Sequence, residues 1–206
     1  MAEHYFTASP ESPHKPLRFQ ADYRGHTLTF QTDSGVFSRT EIDKGTRALL
    51  AALPDAVNGC VLDMGCGYGA LGVCIQKHNP GCRLTMADVN ARALALAAEN
   101  AALNGVAAET VLSDGFSALT GRRYSLIVTN PPIRAGKQVV YRMFRDAAEA
   151  LSEGGAFMLV VRKQQGAPSA VTALRALFRS VEILDKKSGY WILRCTDPIR
   201  QEKVSR

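Results

Sequence analysis

Two groups of residues have the types and spacing of a chemical site. The first is Asp63-Met64-Gly65-Cys66-Gly67-Tyr68-Gly69, an acid followed by three glycines at alternate positions. A Cβ in such a turn would block both positive φ angles and a close ligand, so bare backbone is left for the polar groups of a nucleotide. Asp88 ends the next apolar run, Leu84-Thr85-Met86-Ala87, with Val89 beside it. An acid there can accept hydrogen bonds from both hydroxyls of a ribose. The second group is Asn130-Pro131-Pro132-Ile133, which follows the apolar run Ser125-Leu126-Ile127-Val128-Thr129. The prolines fix φ and remove two N–H donors, so the Asn130 side-chain oxygen and the Pro131 carbonyl form a pair of acceptors in a rigid frame. Such a pair fits an –NH₂ group. It would turn the delocalised lone pair of an exocyclic amine or side-chain amide out of plane, toward an electrophile.

The elements that must carry these residues alternate strand and helix. Strands are expected at 60–64, 82–87, 108–112, 124–129 and 155–162, and helices at 70–79, 90–104, 137–152 and 168–178. Asn90 suits a helix N-cap and Gly105 the left-handed position after the helix end. This alternation predicts a parallel sheet with helices on both faces and ligands at the carboxyl ends of the strands. Asn130 then emerges beside the glycine turn. The last two strands, 181–184 and 190–193, are joined through Ser188-Gly189, too short for a crossover, and must be antiparallel. Ahead of the sheet, residues 1–16 read as a proline-bearing arm. Leu17–Gln20 and Thr27–Gln31 read as short strands around Arg24-Gly25, and a helix begins near Asp43. The chain thus divides into an arm and short strands (1–40) packed on the core, a main domain (41–197) and a basic tail (198–206).

The chain has 206 residues, enough for one domain with a sizeable core, and a formal net charge of +6, which favours a polyanionic partner. Its five cysteines form no C-x-x-C pair and suggest reduced thiols in the cytoplasm. The four histidines are dispersed, so no metal site is expected. No apolar run approaches bilayer length, and no membrane association is expected. Oligomeric state is not legible.

The run D-x-G-C-G-x-G, with Asp88 downstream, resembles the first motif of the class I S-adenosylmethionine-dependent methyltransferases. Nicotinamide-dependent dehydrogenases differ in spacing their glycines G-x-G-x-x-G. The resemblance implies a Rossmann-like α/β fold, a mostly parallel seven-stranded sheet with an antiparallel C-terminal hairpin and helices on both faces, plus a short N-terminal β extension. It also implies S-adenosylmethionine as cofactor. Asn130-Pro131-Pro132-Ile133 resembles the N-P-P-aromatic motif of amino-methyltransferases, with Ile133 in the aromatic's place. Asp114-Gly115 resembles the segment whose acid meets the adenine amine. Thr32-Asp33-Ser34-Gly35-Val36-Phe37-Ser38, Asp43-Lys44-Gly45-Thr46 and the residues from Asn130 to Lys137 are similar to segments of the small-subunit ribosomal RNA guanine-N2 methyltransferases. That family implies catalytic roles for Asn130, Pro131, Pro132 and Ile133. It implies cofactor contacts for Asp63, Gly65, Cys66, Gly67, Gly69, Asp88, Val89, Asp114, Gly115, Asn130, Phe37 and Thr46. Enzymes of that family can carry a second, non-catalytic domain copy, and this chain is expected to be the compact single-domain form.

Arg134 and Lys137 follow the fourth strand, and Arg162 and Lys163 end the fifth. All four are expected on the pocket rim, where the phosphates of ribosomal RNA, free or in the small subunit, would lie if a nucleotide were flipped inward. Two other readings remain open at this point: transfer to an adenine or protein glutamine amine, and a non-catalytic RNA-binding or ribosome-assembly protein.

Overall fold

A computed structural model describes residues 15–34 and 40–200. Most of the expected arm, the end of the basic tail and Phe37 lie outside the described residues.

Chain order is β1 (Leu17–Tyr23), β2 (His26–Thr32), α1 (Lys44–Ala52), β3 (Cys60–Met64), α2 (Ala70–His78), β4 (Arg83–Asp88), α3 (Ala91–Leu103), β5 (Ala108–Leu112), β6 (Tyr124–Thr129), α4 (Lys137–Ala150), β7 (Leu151–Arg162), α5 (Ala167–Arg175), β8 (Phe178–Lys187) and β9 (Tyr190–Pro198). Seven strands form one sheet in the order β5-β4-β3-β6-β7-β9-β8, and β1 and β2 pair separately. β3 through β7 are parallel, while β9 runs antiparallel to both β7 and β8. The parallel strands are those the alternation predicts, and the sheet as a whole is the Rossmann-like architecture that the resemblance implies. The chain leaves β3 for β4 on one side and returns to β6 on the other. The carboxyl ends of β3 and β6 therefore flank a topological switch point, the place where open α/β sheets bind ligands.

Two-residue periodicity sorts the sheet's side chains into two cores. Val61, Leu84, Met86, Leu126, Val128, Met158 and Val160 face a cluster with α1, α2, α3 and the β1–β2 hairpin. Leu62, Met64, Ile127, Phe157, Leu159, Val161 and Leu193 face α4 and α5. Both faces of the central strands are buried, which is why those strands read as unbroken apolar runs.

The β1–β2 hairpin is fastened to α3 by two amides one helical turn apart. Asn100 Oδ1 accepts from Gln31 N–H (2.7 Å) and its Nδ2 donates to Gln31 C=O (2.9 Å). Asn104 repeats the pattern on Thr29, at 2.9 and 2.8 Å. The two side chains thus supply the pairing that a third strand would give to the edge of β2. The rings of Phe19 and Phe30 pack edge-on against Tyr68, so the hairpin braces the glycine turn from outside.

The element boundaries that differ from the expectations include three in the second half of the chain. The helix expected at 137–152 stops at Ala150, and β7 begins at Leu151 rather than 155. The register against β6 jumps there, with Tyr124 opposite Leu151 and Leu126 opposite Ala156, so Ser152-Glu153-Gly154-Gly155 bulges and reads as a loop. The helix expected at 168–178 ends at Arg175, because the fully buried Phe178 already opens β8. The C-terminal hairpin is longer than its apolar core, since its outer residues are exposed and polar and leave no apolar signal.

Candidate active site

A cavity of about 420 Å³ opens at the switch point, within the size range of small-molecule sites. The turn after β3 forms its floor. Gly65 N–H (2.8 Å) and Cys66 N–H (3.0 Å) donate to Ala87 C=O, tying the turn to β4. Gly65 and Gly67 hold φ of 68° and 56°, and a Cβ on either would project into open space. Their backbone is therefore bare toward the pocket, as a ligand lying across the turn requires.

Two acids line this floor. Asp63 is fully buried. Its Oδ2 accepts from Gly72 N–H (2.8 Å), and its Oδ1 has no partner, which leaves an unmet acceptor in the pocket wall. Burial pushes its carboxyl up to about 7; the Gly72 hydrogen bond opposes the rise and the charge of Asp88 adds to it. Asp88 accepts from Gly67 N–H and from Asn90 N–H, both at 2.8 Å. Burial raises its carboxyl as well, against those hydrogen bonds. A carboxylate has about four lone-pair sites, so Asp88 keeps capacity for further donors. Burial, with Asp88 and Asp63 nearby, pushes the Cys66 thiol well up, so it is no nucleophile.

The opposite wall is made by Asn130 and the N-terminus of α1. Asn130 Nδ2 lies 3.3 Å from both carboxylate oxygens of Asp43 and 3.1 Å from Thr46 Oγ1. A carboxylate only accepts, so the amide nitrogen is the end that faces it. Asn130 Oδ1 is left without a partner among the described residues. Pro132, at φ −74° and ψ 75°, forms an inverse γ-turn in which Ile133 N–H donates to Pro131 C=O (2.8 Å). The Pro131 carbonyl is thus already engaged on one lone pair, a correction to its expected freedom. The prolines set the backbone as expected.

A family model for the methyltransferase small domain matches residues 27–194. The chain belongs to the methyltransferase small-domain family. Among relatives, it is 40% identical over 197 residues to the uncharacterized protein YbxB of Bacillus subtilis (strain 168), covering 94% of this chain and 98% of that one. It is 38% identical over 147 residues to ribosomal RNA small subunit methyltransferase C of Escherichia coli O1:K1 / APEC, covering 69% of this chain and 43% of that protein. The chain therefore spans less than half the length of that enzyme. In structure it resembles the T. thermophilus 16S rRNA N2 methyltransferase solved with AdoMet and guanosine. That match has a TM-score of 0.80 and 29% identity, and covers 91% of this chain and 52% of the other.

Of the family positions expected from the sequence, Thr46, Asp63, Gly65, Cys66, Gly67, Asp88, Val89, Asp114, Gly115, Asn130, Pro131 and Pro132 all line the one cavity. Gly69 instead caps α2, at φ 87°. Ile133 packs against the α4–α5 core and is not in the pocket lining. Asp114 lines the pocket but is held by Arg142 in an ion pair at 2.7 Å. Lys137, Arg162 and Lys163 are exposed at the ends of their elements, outside the lining. The Arg162 guanidinium stands 6.0 Å over the Tyr190 ring. The expectations for Phe37 and for the Arg134 side chain fall outside what the structure describes.

Three residues escaped sequence reasoning as parts of the site. Asp43 had shown itself as the start of a helix and the first residue of a family-like segment, with no role in the site assigned to it. Arg142 gives no local sign, because its partner lies 28 positions away. Asn100 reads as a polar residue in an alanine-rich helix. Yet it is fully buried and donates to Tyr68 C=O (2.8 Å), joining the hairpin to the glycine turn.

Proposed function

We propose that this methyltransferase transfers a methyl group from S-adenosylmethionine to an exocyclic amine, guanine N2 of small-subunit ribosomal RNA. The observation that carries the reading is the state of Asn130: its nitrogen is taken by Asp43 and Thr46, so its free oxygen is offered to a donor.

The residues present fit the cofactor. The bare backbone at Gly65 and Gly67 accommodates its methionine part, the unmet Asp63 Oδ1 accepts from its ammonium group, and Asp88 accepts from its ribose hydroxyls. Val89, Asp114 and Gly115 flank the adenine, with Thr46 nearer the methionine end. When bound, S-adenosylmethionine supplies an electrophilic methyl on a sulfonium, so the protein need only position and polarise the acceptor. Asn130 Oδ1 and the remaining lone pair of the Pro131 carbonyl grip the two N–H bonds of the amine. They direct its lone pair at the methyl and become more favourable as positive charge grows on nitrogen. The methylated nitrogen then releases its proton to water, and no strong base is required. Ile133, set outside the pocket, offers no stacking surface of the kind expected for adenine or glutamine acceptors. Arg134, Lys137, Arg162 and Lys163 meet the RNA phosphates, and the five free thiols suit the cytoplasm.

Asn130→Ala tests this. Single-turnover transfer at saturating cofactor should fall by ~10²–10³, the usual effect of losing a preorganised polar group. Cofactor affinity should change far less, because the glycine turn and Asp88 remain. A transfer rate within a few-fold of the parent would remove Asn130 from the chemistry.

A further inference from the structure

In the segment Asp43-Lys44-Gly45-Thr46, cofactor binding takes up Thr46 and leaves Asp43 and Gly45 without a role. Its residues stand more than 80 positions from Asn130 and yet meet it. Asp43 is fixed before Asn130 arrives: it is the N-cap of α1, its Oδ1 accepting from Gly45 N–H (2.9 Å) and Thr46 N–H (3.2 Å) while its own carbonyl accepts from Arg47 N–H (2.9 Å). Turning its carboxylate away would expose the helix N–H groups it caps. The frame is also tight. A Cβ on Gly45 would lie 3.0 Å from the Tyr190 ring and 3.1 Å from Asp43 Oδ1, so only glycine lets the cap, the ring and Asn130 approach this closely. Into this frame Asn130 places its Nδ2 between three acceptors, the two carboxylate oxygens and Thr46 Oγ1. An amide turned the other way would set its oxygen against a carboxylate, lone pair to lone pair.

We propose that Asp43, assisted by Thr46, is a positioning residue that fixes which end of the Asn130 amide faces the pocket and so selects hydrogen-bond donors, amines, over carbonyl-type acceptors. The inference rests on the amine-orienting role of Asn130 proposed above and adds its cause. A free asparagine amide presents either end, because its oxygen and nitrogen differ little in size. Asp43 removes that choice in the resting protein, before any substrate binds. The site therefore spends no binding energy on sorting the amide.

Asp43→Asn is the discriminating variant. Asparagine caps helices as well as aspartate, so α1 keeps its start. With the new side chain's oxygen still on the Gly45 and Thr46 N–H groups, its NH₂ faces Asn130, which must turn over and present its own NH₂ to the pocket. Two readouts are required. The first is the NMR signal of the Asn130 side-chain NH₂ in ligand-free protein, assigned by its loss in Asn130→Ala. Its exchange with water should be slowed ~10-fold or more in the parent and should speed up in Asp43→Asn. The second is binding of guanosine and of inosine, which lacks the amine, to protein loaded with the demethylated cofactor. The parent should favour guanosine, and Asp43→Asn should lose the preference, with transfer falling ~10²-fold. Thr46→Val removes one of the three acceptors and leaves the cap, so it should show the same changes in weaker form. Equal exchange in parent and Asp43→Asn, or a guanosine preference that survives the substitution, overturns the proposal. Slowed exchange that Asp43→Asn abolishes, in a parent indifferent to the guanine amine, supports the clamp and instead overturns the guanine acceptor.

Discussion

Asp63 shows how one buried atom links fold to ligand. Its carboxyl would titrate near 3.8 in the unfolded chain but titrates near 7 in the fold, chiefly through burial. The folded state therefore holds this proton more tightly. Asp63 contributes stability at low pH that is lost as pH rises from the ordinary carboxylate range through about 7. A cation beside the unmet Oδ1 reverses the preference, since it stabilises the ionised form. Cofactor binding should then expel a proton below pH about 7 and weaken as pH falls. Calorimetry in buffers of different ionisation enthalpy reads that proton directly. Asp63→Asn should abolish the release, and a parent Kd that does not change with pH would contradict the contact. Asp88→Ala should weaken the cofactor by about 1–3 kcal/mol, the usual cost of leaving polar groups unsatisfied. It should also loosen the turn, because the Gly67 N–H loses its partner. That Asp63 and Asp88 line the pocket was legible, because an acid near the carboxyl end of each of two neighbouring strands reaches the switch point. The hold of Asp88 on the glycine turn was not, since a bond to Gly67, 21 residues away, leaves no local pattern.

At the scale of elements, the β1–β2 hairpin belongs to the site although it touches none of the pocket. Asn100 joins Gln31 in β2 to Tyr68 in the glycine turn, so hairpin, helix and turn share one buried amide. Asn100→Ala would strand two carbonyls and an N–H in the core. It should cost about 1–3 kcal/mol for each unsatisfied group, a large share of a domain's stability. A urea midpoint that barely moved would contradict this, as would cofactor affinity equal to the parent's. The hairpin strands themselves were readable from alternation around Arg24-Gly25, whose φ angles of 45° and 83° suit a two-residue turn. Their attachment was not readable, because sequence periodicity reports which face is buried and not which polar atoms are paired. The same limit explains the β7 boundary, where a bulge at Ser152–Gly155 replaces the ladder without changing composition.

For the molecule as a whole, parallel strands flanked by helices could be foreseen because the central strands had to bury both faces, and the cavity opens at the switch point that this order creates. The sequence reasoning placed the basic residues on the rim, but nothing in composition says what they touch. If Lys137, Arg162 and Lys163 meet phosphates, replacing all three with alanine should flatten the salt dependence of RNA binding. The expected change is about 0.7 in log–log slope per lost phosphate contact on single-stranded RNA. Cofactor affinity should stay near the parent's, and an unchanged slope in a filter-binding titration would remove these residues from the interface. Above all stands the identity of the acceptor. The direct measurement is transfer from methyl-labelled S-adenosylmethionine to small-subunit ribosomal RNA, naked and assembled, from cells lacking this gene, with the product digested and its nucleosides weighed by mass spectrometry. The expected result is label on N2 of guanosine, absent when Asn130→Ala replaces the parent. Label on adenosine or on protein, or no label from a protein that binds the cofactor tightly, would contradict it.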